Sequence, residues 1–318
     1  MKAGCVLGFD TSCYTTSCAL VSLEGQVLVS VRLPLEVALG DRGLRQSEAV
    51  FKHLRQIPQA FRQALDQAGR PAVGAVCVSA APTDRAGSYM PVFVAGLSFA
   101  QGIAQALDVP CFETSHQQGH FAAARIGLEG LGLPHLGLHL SGGTTEILRI
   151  DHESAVMLGG SADISAGQLI DRVGVALGLP FPAGPALEKL ARACQPAGRY
   201  PAILKDEMSC SFSGAEAQAM RDIASGLPGE EIAAEVFDCV ARVALKMGAA
   251  AAGRIGVNDL LITGGVASSS LLREMLIRRV TGRGMPISLH FGQAQYAGDN
   301  AAGVAAIGLE KLRKIKEA

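Results

Sequence analysis

The feature that most constrains this chain is a passage it states twice. Positions 7–29 read LGFDTSCYTTSCALVSLEGQVLV, and positions 138–158 read LHLSGGTTEILRIDHESAVML. Each is a β-rich run, a turn rich in small and hydroxyl residues, a second run, a polar turn and a third run. A gapless shift of 129 positions, the distance from Asp10 to His139, puts Leu7-Gly8 on Leu136-Gly137 and Ser12 on Ser141. The same shift puts Thr15-Thr16 on Thr144-Thr145, Glu24 on Glu153 and Val27 on Val156. Gly, Ser and Thr gather in the first turn of both copies. Such turns offer backbone N–H groups and hydroxyls, the groups that hold phosphate oxygens. The repeat therefore predicts two similar lobes whose hairpin turns face one another as a nucleotide clamp.

Between and after the hairpins, short β-rich runs alternate with helical patterns, which argues an α/β fold with a mixed sheet flanked by helices in each lobe. In the first half, SEAVFKHLRQIPQAFRQALDQAG has helical spacing, with Ser47 as its N-cap and Pro58 as a kink. A strand at 73–80, a buried helix at 91–109, the short strand PCFETS and the helix HQQGHFAAARIG follow. The second half has helices near 165–178 and 184–194, an Ala-rich helix near 229–253, a strand at 259–265 and two closing helices. The N-terminal lobe is expected to span 1–133, completed by the last helix at 300–318, and the C-terminal lobe 134–299.

Bulk properties remove several function classes. A chain of 318 residues, 49% hydrophobic and 18% charged, can bury two cores and is not of disordered composition. No apolar run reaches bilayer-spanning length, and the opening MKAGCVLGFD meets Asp10 before a signal-sized segment forms. A cytoplasmic protein without membrane contact is the expectation. Eight cysteines without a C-x-x-C pair read as reduced thiols, not a cysteine metal site. A net charge of −1 supplies no global attraction for nucleic acid, so any RNA would need a local groove or a partner subunit.

The residues able to do chemistry sit at element junctions. His116 and His120 are four apart, on one face of a helix and within reach of one metal ion. The residue after His116 is Gln117, not the Glu that a zinc peptidase uses as general base, so peptidase chemistry is disfavoured. In the second hairpin His139 stands where the first has Asp10, and Ser141 would project on the same side of the strand. Asp299 opens the last helix, where capping is its default role, yet a capping carboxylate keeps an oxygen for a metal. Asp163, Asp171, Gly184 and Glu188 lie at junctions where carboxylates can hold ribose hydroxyls. Gly264 and Gly265 would let a base approach closely.

These pieces together resemble the actin-like ATPase superfamily of ribonuclease H-like fold. Within it they resemble the threonylcarbamoyltransferase family, long labelled glycoprotease. The specific stretches are SHQQGHFAAA, LHLSGGTTEIL, GQLIDRVGVALGLPFPAGPALEKLA, CSFSG, LLITGGVASSSLLRE and GDNAAGVA, spread over nearly the whole chain. The resemblance implies a two-lobed fold with a metal and a nucleotide between the lobes. The metal would be one divalent transition ion (zinc, iron or manganese), held by His116, His120 and Asp299, with Ser141 and His139. The nucleotide, ATP or threonylcarbamoyl-AMP, would meet the turn Ser141, Gly142, Gly143, Thr144 and Thr145, then Asp171, Gly184 and Glu188; the reading of the residues adds Ser12, Gly264, Gly265 and Ser269 as candidates. The implied reaction moves a threonylcarbamoyl group from an adenylate to N6 of adenosine 37 in tRNA, with a paralogous subunit and a small ATPase as partners.

The chain departs from that pattern on the first turn and on the substrate side. Tyr14-Thr15 stand where the family has an Asp-Glu pair, and Thr144 where bacterial members have His. AAPTDRAGSYMP at 80–91 replaces a Gly-Pro-Gly loop, Glu216 replaces a Lys, and Ser269 an Asn. Two further readings stay open: carbamoyl-type transfer to a different small acceptor, and a non-catalytic paralog that scaffolds a tRNA-modifying complex.

Overall fold

Cys5–Thr11 (β1) is buried at every position, as expected of a central strand covered on both faces. In the computed structural model, which describes residues 4–12, 14–36, 44–152 and 154–317, it lies at the middle of a five-stranded sheet. Cys13 and Glu153, used in the comparisons above, fall outside the described residues. β1 pairs antiparallel with Thr15–Ser22 (β2), which pairs with Val27–Pro34 (β3). On its other side β1 runs parallel to Val73–Ala81 (β4), and β4 to Cys111–Ser115 (β5).

Alternation along β1 sorts its helices. Leu7 and Phe9 enter a core with Ile57 and Ala60 of Gln46–Gln67 (α1) and Ala95 and Ala100 of Pro91–Leu107 (α2). Phe9 packs its ring 5.8 Å from Phe61 and 5.7 Å from Phe99. Val6 faces the opposite way, toward Ala305 and Leu309 of the closing helix Ala302–Glu317 (α9). Gly8 lies on that side too, where a Cβ would come within 2.6 Å of the Ala301 carbonyl oxygen. The helix His116–Arg125 (α3) follows β5 directly, Ser115 ending the strand and capping the helix.

One local expectation for α1 is corrected. The helix starts at Gln46 after Arg45, whose carbonyl already accepts the Ala49 N–H, so Ser47 sits inside the first turn. Pro58, the expected kink, lies within the continuous helix on its exposed face, where water can take the carbonyl that proline leaves unpaired.

The second sheet repeats the order of the first. His135–Leu140 (β6), Thr145–Ile150 (β7) and Ala155–Gly160 (β8) pair antiparallel. Between these hairpins and the sheet's parallel strands come Ala166–Ala176 (α4), Gly184–Ala191 (α5), the short pair Ile203–Leu204 (β9) and Cys210–Ser211 (β10), Ser213–Ala224 (α6) and Gly229–Ile255 (α7). Asp259–Thr263 (β11) then runs parallel to β6, and Ser288–Phe291 (β12) parallel to β11, with Ser270–Arg283 (α8) between them in sequence. The register settles the repeat: Asp10 faces Ser17 in β1–β2, and His139 faces Glu146 in β6–β7. Both partners are displaced by the same 129 positions that the sequence comparison used.

Two compact units result, Met1–Gly127 with Gln295–Ala318, and Leu128–Ala294. These borders come earlier than the 133/134 and 299/300 expected from the repeat. Tyr296 packs with Ala19 and Ala301, which ties the segment before α9, Asp299 included, to the first sheet.

Candidate metal centre and nucleotide pocket

The first unit brings three metal-ligating side chains to one place. His116 and His120 sit one turn apart on α3, their Nε2 atoms 3.0 Å from each other. Asp299, on the approach to α9, sets Oδ1 3.5 Å from His116 Nε2 and 3.4 Å from His120 Nε2. One ligand atom from each residue lies within 4.8 Å of the others, and this is the one such His, Cys, Asp and Glu group among the described residues. The donor set fits a transition ion: two imidazole nitrogens turned at one another at hydrogen-bond distance, with a carboxylate oxygen beside both.

Three further residues hold this group. Asp10, 1% exposed at the end of β1, accepts from His116 Nδ1 at 2.9 Å through Oδ1, which also takes the Ser79 hydroxyl. This fixes the ring so that its Nε2 faces Asp299. Asp10 Oδ2 is buried without a hydrogen-bond partner. Ser12 donates its hydroxyl to Asp299 Oδ2 at 2.7 Å, leaving Oδ1 for the imidazoles. Asp299 is not the cap of α9; Asn300 performs that task, its Oδ1 accepting the Ala302 N–H at 3.1 Å. Asp10→Asn is expected to lower metal affinity about 10- to 100-fold by loosening the His116 ring, readable by competition with a chelator.

Proton affinities report the same crowding. Burial pulls His116 down, but the neighbouring charges and hydrogen bonds of Asp10 and Asp299 prevail and push it up to about 10. Burial pushes Asp299 up, yet the hydrogen bonds and charges of His116 and His120 prevail and hold it well below the usual carboxylate range. A cation must therefore displace a proton from His116. Metal affinity is expected to rise with pH, by about tenfold per unit from about pH 6.5 to 9, as seen in chelator titrations across that window.

The second unit carries the other expected residues. A cavity of about 390 Å³ is lined by Gly142, Asp171, Gly184, Glu188, Gly265 and Ser269 together with apolar Ile170, Pro182, Phe237 and Val266. Its size and its apolar walls with a few polar groups suit a small ligand. Glu188 Oε1 accepts from Leu271 N–H at 2.8 Å and from the Ser270 hydroxyl at 2.9 Å, so it also pins the start of α8. Burial pushes Glu188 up, and these bonds together with Ser269 and Arg192 overcome that and lower it. Asp171 Oδ1 accepts the Ala183 N–H at 2.8 Å, which shapes the loop entering α5. A larger hollow of about 580 Å³ beside α8 is lined by Arg192, Arg278, Arg279 and Arg283. It includes none of the expected ribose-binding carboxylates.

Several expected contacts have other duties. Gly264, at φ +102°, lies against the backbone of Leu140, where a Cβ would meet the Leu140 carbonyl carbon at 2.8 Å. Its missing side chain lets the Leu140 backbone pack against it. In the second turn, Gly143 N–H and Thr144 N–H donate inward to Ser141 Oγ at 3.3 and 3.0 Å. Thr145 Oγ1 accepts from Ala166 N–H at 2.9 Å and so anchors the start of α4. Ser269 caps α8 through Leu272 N–H at 3.1 Å while lining the cavity. Gly143, Thr144 and Thr145 line a smaller hollow with Ser161, Asp163 and Ser165. His139 lies at the end of β6, with Ser141 just beyond it.

Comparison with known proteins gives this arrangement its context. Residues 40–306 match the family described as "TsaD: tRNA N6-adenosine threonylcarbamoyltransferase". A relative of that name from Thermus thermophilus is 34% identical over 315 residues, covering 96% of this chain and 91% of its own.

The chain belongs to the tRNA N6-adenosine threonylcarbamoyltransferase family.

A relative of the same name from Carboxydothermus hydrogenoformans is 31% identical over 98% of this chain and 94% of its own. Among solved structures, full-length HypF in its phosphate- and nucleotide-bound form superposes with a TM-score of 0.63 at 16% identity, over all of this chain and 56% of HypF. The ROK hexokinase of Thermus thermophilus gives 0.51 at 16% identity, over 99% and 100% of the two chains. These likenesses establish the actin-like ATPase fold. Sequence reasoning on the threonylcarbamoyltransferase pattern missed Asp10 as the partner of His116. The available signal was a carboxylate closing a strand of otherwise apolar residues, at the position the repeat pairs with His139.

Proposed function

We propose that this protein transfers a threonylcarbamoyl group from threonylcarbamoyl-AMP to N6 of adenosine 37 in tRNA. The observation that carries the reading is the convergence of His116, His120 and Asp299 in a chain matching the threonylcarbamoyltransferase family over residues 40–306. A zinc, iron or manganese ion held there would act as a Lewis acid on oxygens of the donor. The resemblance adds His139 and Ser141 to the family's ligand set.

The chain's own groups have separate tasks in this scheme. Asp10 and Ser12 hold His116 and Asp299 in place, so that no side chain must reorganise when the donor arrives. Asp171, Gly184, Glu188, Gly265 and Ser269 would seat the adenosine half of the donor, with the Ser141–Thr145 turn beside its phosphate and the departing AMP. The acceptor amine gives up its proton as its nitrogen bonds to the carbonyl carbon and AMP leaves with the bonding electrons. With no general field to draw tRNA to a chain of net charge −1, a paralogous subunit and a small ATPase would assist. Phe51 and Leu54, 60% and 54% exposed on α1, offer a partner an apolar footing. No helix among the described residues is long and apolar enough to cross a membrane.

Specific observations favour a second reading, transfer to a different acceptor. Glu216, where the family has Lys, pairs with Arg172 at 3.2 Å, and Tyr14, 49% exposed, replaces an acid in the first turn. Incubation with threonylcarbamoyl-AMP, tRNA and candidate partners, scored by mass spectrometry of the nucleosides, separates the two. Modified adenosine is expected. Its absence with every partner, while AMP still binds, would move the assignment to another acceptor.

A further inference from the structure

Helix α1 buries one histidine completely. His53 is 0% exposed. Its Nε2 lies 2.8 Å from the Ser12 carbonyl oxygen, and because a carbonyl only accepts, this nitrogen carries the hydrogen. Its Nδ1 lies 2.7 Å from Thr16 Oγ1. Thr16 Oγ1 also lies 2.8 Å from Gln56 Oε1, so its one hydrogen is shared between that oxygen and Nδ1, and the Gln56 amide donates to the Pro34 carbonyl at 3.2 Å. Ser12 and Thr16 are the two limbs of the first hairpin where it turns from β1 into β2. One imidazole therefore clasps both sides of that turn from the helix behind it.

The clasp leads to the metal centre. Ser12 is the residue whose hydroxyl donates to Asp299 Oδ2 at 2.7 Å, and Asp299 Oδ1 is the atom that faces His116 and His120. We infer that His53 is a positioning residue for the metal centre, holding Ser12 so that Ser12 sets the rotation of the Asp299 carboxylate. A serine at the open end of a hairpin could otherwise swing its hydroxyl away, and a freely rotating carboxylate would share its charge less well between two imidazoles. Buried imidazoles usually serve packing alone; here both ring nitrogens are committed to the turn that carries the ligand's partner. The inference rests on the metal-centre reading and is independent of which acceptor the enzyme uses.

Zinc alone is the probe, its affinity measured by competition with a chromogenic chelator and the fold followed by thermal unfolding without metal. Ser12→Ala and His53→Ala are each expected to weaken zinc about tenfold, the low end for loss of a group that orients a ligand. In the double variant the losses should not multiply, because both changes cut the same connection. His53→Gln, whose amide can still donate to Ser12, should recover part of the loss. If His53→Ala does not fold, Thr16→Val releases the other limb of the turn and is read in the same way. Zinc affinity within twofold of the unmodified protein in a folded His53 variant would overturn the inference, as would fully multiplicative losses. His116→Ala reports on the underlying reading separately: unchanged zinc affinity there would remove the metal centre itself, and the inference with it.

Discussion

Changing both His116 and His120 to Ala is expected to lower metal affinity by at least about a hundredfold, beyond what loss of an orienting group causes. The two Nε2 atoms are 3.0 Å apart and each lies about one ligand's reach from Asp299 Oδ1, at 3.5 and 3.4 Å. With both rings gone, a single carboxylate remains of the three-residue group, and one carboxylate does not hold a transition ion against a chelator. The variant should stay folded. The His116 ring packs 5.9 Å from Phe93, but alanine is the best helix former for two positions on α3. Elemental analysis of both proteins, prepared in parallel with the same metal, gives the answer. Equal metal content would dismiss the site. Transferase activity should fall with the metal.

Gly303→Val is expected to destabilise the protein by about 3 kcal/mol or more, because the substitution meets backbone on both sides. Gly303 lies in the first turn of α9 where that helix crosses α3. A Cβ there would fall onto the Gly119 carbonyl oxygen and within 2.5 Å of the Ala123 nitrogen. Neither is the end of a side chain that could rotate away. Gly119 is the residue before His120, and α9 begins three residues after Asp299, so the crossing sets the ligands' spacing as well as stability. The variant should lose metal affinity even at temperatures where it remains folded. Gly102→Ala in α2 is the comparison, since a Cβ there has open space. It should be neutral or gain up to about 1 kcal/mol from the lower entropy of the unfolded chain. A chemical-denaturation series on the two variants checks both expectations. A Gly303→Val protein as stable as its parent would mean that the α3–α9 contact is not as tight as described.

Much of the fold was legible because repetition and periodicity are local properties. The hairpins at 7–29 and 138–158 paired in the register that their alignment required, down to Asp10 with Ser17 and His139 with Glu146. His116 and His120 were legible because one turn of helix brings residues four apart together whatever surrounds them. Asp299 was legible only through the resemblance, since nothing within its own segment distinguishes a ligand from a cap. The bond of Ser12 and the close packing of Gly264 were not legible, although the sequence singled out both residues for a nucleotide. Their partners, Asp299 and Leu140, lie far off in sequence. His53 carried no signal at all: one histidine in a helical pattern looks alike whether it packs, titrates or clasps a turn.

The sequence by itself determined the two-sheet α/β plan, the order of its elements, the helix that presents two imidazoles and membership in the threonylcarbamoyltransferase family. These follow from side-chain period, turn chemistry and residue spacing, which act over a few residues and survive any packing consistent with them. The tertiary structure alone decided which oxygen of Asp299 faces the imidazoles, that Asp10 fixes one ring, and that His53 holds Ser12. Each of these is a hydrogen bond a few ångströms long between groups tens or hundreds of residues apart. Its formation depends on how helices α1, α3 and α9 seat on one sheet, and no local pattern encodes that.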